Sequence, residues 1–77
     1  MNKVLFFAHL REAVGKDYIE IDAAGKTVAQ LKEELQKQYD LPRFESVMTA
    51  INEEFCQETD VIREGDEIAF IPPVSGG

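Results

Sequence analysis

Cysteine and histidine are nearly missing from this sequence. Among 77 residues there is one of each, Cys56 and His9. A lone cysteine forms no internal disulfide, and with a single histidine it builds no structural zinc site, so neither staple is available. A reducing compartment, the cytoplasm, fits that composition best. Long apolar runs are absent too, which excludes a membrane-spanning segment and leaves no membrane partner to expect. The apolar start around Val4–Ala8 is broken at once by His9, Arg11 and Glu12, so it reads as a folded strand rather than a signal peptide. Positive charge is scarce: 8 basic residues face 15 acidic ones, for a formal net charge of -7. That balance excludes a phosphate-backbone footprint, hence nucleic acid, and favours a partner with a basic surface. Internal repeats, low-complexity tracts and linkers are also lacking.

What is present suffices for one small domain. The apolar fraction, 44%, is ordinary for a folded chain. "KVLFFAHL" reads as a first strand, with Val4, Phe6 and Ala8 on one face and Leu5 and Phe7 on the other. "REAV" is one helical turn ended by Gly15, and "DYIEI" alternates as a second strand. Thr27 and Gln30 form a capping-box pair ahead of a helix from about Val28 to Tyr39. Val28, Leu31, Leu35 and Tyr39 make its apolar stripe, and Pro42 sets its limit. "FESVMTAINEEFC" holds a strand, a turn at Asn52–Glu54 and a short return; "DVIREGDEIAFIPP" holds a turn near Glu64–Asp66 and a last strand. One amphipathic helix cannot bury its stripe alone. The expected fold is therefore α+β: a β-grasp, with a mixed sheet of four to five strands and one main helix across one face. Residues 1–73 form the domain and residues 74–77 a flexible tail.

The ending "IPPVSGG" has chemical consequences. Pro72 and Pro73 fix their own φ, lack an N–H and stop the sheet ladder, launching the chain in an extended direction. The last four residues reach roughly 13 Å beyond them at about 3.3 Å per residue. Gly76 and Gly77 have no Cβ, so they fit a narrow channel and leave a terminal carboxylate unshielded. A carboxylate becomes reactive once another enzyme turns it into an acyl-adenylate with ATP. Attack by sulfide then gives a thiocarboxylate, and attack by a lysine gives an isopeptide bond.

The stretches "VLFFAHLREAVG", "TVAQLKEEL", "INEEF" and "EGDEIAFIPPVSGG" together resemble the sulfur-carrying small subunits of molybdopterin synthase, the MoaD family of ubiquitin-like proteins. The "LREAVG" turn separates this group from the related thiamine sulfur carrier. Ser75 stands where the family often has alanine, a small-for-small exchange. The resemblance implies a carrier that is not an enzyme alone and binds no cofactor or metal. A ubiquitin-activating-like adenylyltransferase would spend ATP to adenylate Gly77, and a sulfur donor protein would convert it to the thiocarboxylate. The tail Pro73, Val74, Ser75, Gly76 would enter the large synthase subunit, which holds the catalytic groups. Sulfur would pass there to cyclic pyranopterin monophosphate, forming the dithiolene, in a heterotetramer. A lysine-linked protein modifier, and a sulfur carrier for thiazole or tRNA thiolation, remain as alternatives; so does an interaction module with an idle tail.

Four other features carry expectations. Cys56 is expected to pack as a small apolar residue rather than relay sulfur. His9 is expected at the end of the first strand, as a surface or boundary histidine without a visible partner. Glu53 and Glu54 read as a solvated turn. Phe7 and Phe70 are candidates for an exposed docking patch, if either lies on the face away from the helix; core packing is the other reading.

Overall fold

The computed structural model describes residues 1–73. The elements run β1 (Asn2–Phe6), α1 (His9–Val14), β2 (Tyr18–Ile21), α2 (Val28–Gln38), a 3-10 turn (Phe44–Ser46), β3 (Met48–Ile51), β4 (Glu54–Phe55) and β5 (Glu67–Ile71). The five strands form one sheet in the order β2-β1-β5-β3-β4. β1 and β5 are parallel neighbours at the centre; every other pairing is antiparallel. A parallel pair needs a crossover, and the segment carrying α2 supplies it. The expected β-grasp is the architecture found.

α2 begins as its sequence dictates. The Thr27 hydroxyl accepts from Gln30 N–H at 3.2 Å, and the Gln30 side chain accepts from Thr27 N–H at 2.9 Å. Two further first-turn donors, Val28 N–H and Ala29 N–H, reach the carbonyls of Asp60 and Glu58, each at 3.0 Å. The loop at 58–60 thus finishes the cap. Val28, Leu31 and Leu35 are buried against the sheet. The helix stops one residue earlier than expected: Tyr39 is already extended and half-buried, its N–H donating to Leu35 O at 2.9 Å.

Val4, Phe6, Ile68 and Phe70 face α2, and Phe44 closes the layer from the 3-10 turn. The Phe44 ring meets Phe70 edge-on at 4.9 Å between centroids, and Phe6 stacks on Phe70 at 6.3 Å. These contacts add about 0.5–1.5 kcal/mol per pair to the burial itself. Asn2 is buried but fully served: its amide donates to Arg63 O and Asp66 O, and its Oδ1 accepts from Ala23 N–H.

Several local expectations change. The first strand ends at Phe6, because Ala8 takes a positive φ of 51° and the chain turns into α1. His9 therefore opens a helix rather than closing a strand. Ala8 leaves the core face, and Leu10 takes the buried place beneath α1. "FES" is a 3-10 turn rather than strand, entered through Arg43 at φ 56°. The β3–β4 turn is tighter than expected: Asn52 and Glu53 both have positive φ, the pairing a two-residue hairpin turn requires. Lys32, a charged residue outside the expected apolar stripe of α2, lies buried and donates to Glu58 at 2.6 Å.

Candidate functional site: the open sheet face and the tail root

The period of two along the central strands sorts neighbouring residues to opposite sides. Val4 and Phe6 go under the helix, while Leu5 goes to the open face and Phe7, just past the strand end, follows it. On β5, Ile68 and Phe70 are buried; Ala69 and Ile71 turn outward. Register then builds a patch. Leu5 pairs with Ala69, Ala69 with Ala50, Ala50 with Phe55, and Met48 with Ile71. The small alanines make a shallow floor, with Phe7 and Phe55 as walls, and the depression holds about 360 Å³. Phe7 is 42% exposed and Phe55 70%. Two large aromatics lie in water beside one another, which is unlike the single scattered apolar residues of an ordinary surface. Glu53 and Glu67 stand at its rim.

Two sequence expectations separate here. Phe7 lies on the face away from the helix, as a docking residue must. Phe70 does not: it is fully buried between Phe6 and Phe44, so its place is the core. Phe55 and Met48 were missed. Phe55 sits in a two-residue strand whose exposure the alternation pattern cannot set. The register Ala50↔Phe55 puts it on the patch.

The patch leads to the tail root. Ile71 ends β5 on the open face, and Pro72 and Pro73 follow it out of the ladder. Beside the prolines, His9, Arg43 and Ser46 line a small cavity of about 150 Å³. His9 Nε2 lies 3.0 Å from Pro42 O, so that nitrogen carries the hydrogen and donates. His9 is half-buried, a boundary position as expected, but it has a partner that the sequence did not show. Ser46 donates to Arg43 O at 3.0 Å, holding the turn that aims Arg43. The tail positions Val74, Ser75, Gly76 and Gly77, expected to enter a partner and carry the reacting carbonyl, lie outside the described residues.

Other chemistry on the body is sparse. Cys56 is half-buried, its thiol 3.4 Å from Thr49 O. Burial first, and Asp60 second, push that thiol above its ordinary value, which disfavours the nucleophilic thiolate. Glu54 lies on β4 and Glu53 in its turn, both exposed and without the shared enclosure a carboxylate pair needs. Among the described residues no cluster of three or more His, Cys, Asp or Glu could hold a metal, and no helix is long and apolar enough to cross a membrane.

A mixed sheet in this strand order, one capped helix over one face and an apolar open face running into a double-proline exit define a ubiquitin-like β-grasp protein. The ThiS family model matches residues 4–77. The molybdopterin synthase sulfur carrier subunit of Escherichia coli (strain K12) is 38% identical over 81 aligned positions, covering all of both chains. A putative molybdopterin converting factor subunit 1 from Pyrococcus furiosus superposes with a TM-score of 0.81 at 28% identity, over 95% of this chain and 97% of that one. The small archaeal modifier protein 1 of Methanosarcina acetivorans superposes at 0.77 with 26% identity, over 99% and 95%. The chain belongs to the ThiS family and, within it, to the molybdopterin synthase sulfur carrier subunits.

Proposed function

We propose that this chain carries sulfur on Gly77 for assembly of the molybdopterin dithiolene. The carrying observation is the family match, which runs through the Gly-Gly end to residue 77. In this reading an activating enzyme joins the Gly77 carboxylate to the AMP portion of ATP and releases pyrophosphate. A sulfide equivalent supplied by a donor protein then displaces AMP, leaving –C(=O)S⁻. The tail enters the large synthase subunit, where sulfur passes to cyclic pyranopterin monophosphate. The open face supports the docking part of this reading. Leu5, Phe7, Phe55 and Ile71 offer apolar area that leads to Pro72 and Pro73, so a partner seated there meets the root of the segment Pro73, Val74, Ser75 and Gly76 that it is to take up. Acid–base groups for the reacting carbonyl are assigned to the partner in this reading; among the described residues the proline root has His9 and Arg43 beside it.

The test is intact mass. Incubation with ATP, an activating enzyme and sulfide should replace one oxygen of the chain by sulfur, with a mass gain equal to the difference between those atoms. Removing Gly76 and Gly77 should abolish both that gain and pterin conversion with the large subunit. Normal conversion by the truncated chain would defeat the reading. A second reading, a protein modifier, has the archaeal modifier neighbour in its favour. It predicts stable lysine conjugates in extract, which sulfur transfer to a pterin does not. A sulfur acceptor in thiazole or tRNA synthesis is separated by growth of a deletion strain on nitrate, which needs a molybdenum enzyme.

A further inference from the structure

β2 forms one edge of the sheet, and among the described residues its outward backbone has no strand beside it. Phe6 N–H donates to Asp17 O at 2.9 Å, which marks those two residues as a hydrogen-bonded pair. Hydrogen-bonded and non-bonded pairs alternate along an antiparallel ladder. With Val4 opposite Ile19 and Asn2 opposite Ile21, the backbones of Ile19 and Ile21 also turn toward β1. Tyr18 and Glu20 therefore turn their N–H and C=O groups outward, and none of the other described residues pairs with them. Folded proteins guard such an edge with short strands and charge. β2 is short, but its charges do not all repel a second strand.

The edge is complementary to itself. About a two-fold axis through Ile19, Tyr18 of one copy lies opposite Glu20 of the other, twice, and each such pair exchanges two N–H···O bonds. Ile19 meets Ile19 of the second copy. One step further out, Lys16 falls level with Asp22 of the second copy, again twice; both are exposed. Alternative registers do worse. Centring on Glu20 sets like charges together, and centring on Tyr18 carries the pairing past β2 into the bend at Lys16. We infer that a second copy of this chain pairs antiparallel along β2, joining the two sheets through Tyr18 and Glu20 with Lys16–Asp22 pairs at both ends. The groove between β2 and the end of α2, about 690 Å³ and lined in part by Ile19, Ile21 and Tyr39, takes up the apolar side chains at the seam. The axis stands perpendicular to the sheet, so both open faces lie on one side. The strands run antiparallel, so the two β5 strands point in opposite directions. The edge is separate from the Phe7 patch and from Pro72 and Pro73 at the end of β5, and a dimer of this kind leaves both free.

Sedimentation equilibrium from micromolar to millimolar chain tests this. The wild type should dimerise reversibly. Lys16→Glu and Asp22→Lys should each weaken association about tenfold, because two attractive pairs become two repulsive ones. The double variant should recover wild-type association. Asp22→Lys decides the matter, since it makes the acidic chain less negative, and association without this register would then tighten. In the wild-type dimer the amides of Tyr18 and Glu20 should gain protection from hydrogen exchange. A chain that stays monomeric at millimolar concentration overturns the inference. So does an Asp22→Lys variant that associates as tightly as wild type, or a dimer in which those two amides exchange unchanged.

Discussion

The two faces of the sheet are built from alternate residues of the same strands, yet they have opposite fates. On β1 and β5 the helix side reads Val4, Phe6, Ile68, Phe70, and the open side reads Leu5, Ala69, Ile71, with Phe7 continuing it. Both are apolar, so hydrophobicity does not tell them apart. What does is the cover: α2, Phe44 and Leu10 close one side, and none of the other described residues closes the other. A 77-residue domain has little spare burial with which to stabilise itself. An apolar face left in water by such a chain is a cost to solubility, and it makes sense as a surface that a partner completes.

The sharpest way to test that contrast is to truncate one aromatic on each side. Phe70→Ala removes a ring packed against Phe6 and Phe44 and leaves a cavity, so it should cost about 3–5 kcal/mol of unfolding free energy. That is a large share of what a domain of this size has, and chemical denaturation would read it directly. A loss below 1 kcal/mol would mean that Phe70 is not the core residue its burial describes. Thr27→Ala acts on the cover itself. It removes the hydroxyl that accepts from Gln30 N–H, and should cost about 1 kcal/mol. Gln30→Ala should cost less, because the carbonyls of Asp60 and Glu58 still serve the first turn of the helix.

A smaller effect comes from the end of the sheet away from the tail. Asp66 accepts Arg63 N–H and Asn52 Nδ2–H, each at 2.9 Å, and Asn52 also accepts Glu67 N–H. The bond from Arg63 first, and that from Asn52 second, hold the Asp66 carboxyl below its ordinary value of 3.8. A carboxyl depressed in the folded state adds stability above its unfolded pKa and loses it as pH falls through the folded one. The wild type should therefore shed this increment on acidification below its ordinary value. Asp66→Ala should be less stable than wild type near neutral pH and converge toward it in acid. A constant gap between the two at all pH values would show that the latch works through packing rather than charge.

The sequence made much of this legible where local chemistry decides. The Thr27–Gln30 box, the Val28–Leu31–Leu35 stripe and the alternation of β1 and β5 each follow from spacing alone, and each stands in the structure. What was not legible depends on tertiary register. Phe7 and Phe70 look alike in sequence, because an apolar residue on either face of a central strand satisfies the same pattern; the helix decides which is covered. Phe55 joins the patch through its pairing with Ala50, a contact no local pattern encodes. Lys32 reads as solvent-facing by its charge, yet it stands four residues after Val28 and three before Leu35, at the margin of the stripe, and there it is buried with Glu58 as its partner. Ala8 at positive φ ended the first strand without a glycine or proline to announce it. The end proposed to react is read from sequence alone, as two prolines followed within a few residues by a side-chain-free tip.

The finest distinction between the faces concerns Phe7 and Phe55. Both lie in water on the free chain, so Phe7→Ser and Phe55→Ser should each change unfolding free energy by less than about 0.5 kcal/mol, the usual range for exposed positions. If a partner covers the patch, the same rings become buried anchors, and aromatic anchors at interface centres commonly cost 2 kcal/mol or more when truncated, about thirtyfold in affinity. The double variant should therefore fold as wild type does while binding the large subunit at least thirtyfold more weakly. Its tail, unchanged through Gly77, should still gain mass on incubation with ATP, sulfide and activating enzyme supplied in excess. Titration calorimetry against the large subunit reads the first effect and intact mass the second. Unaltered affinity in the double variant would mean that the open face is not the docking surface, and the tail alone would then have to carry recognition.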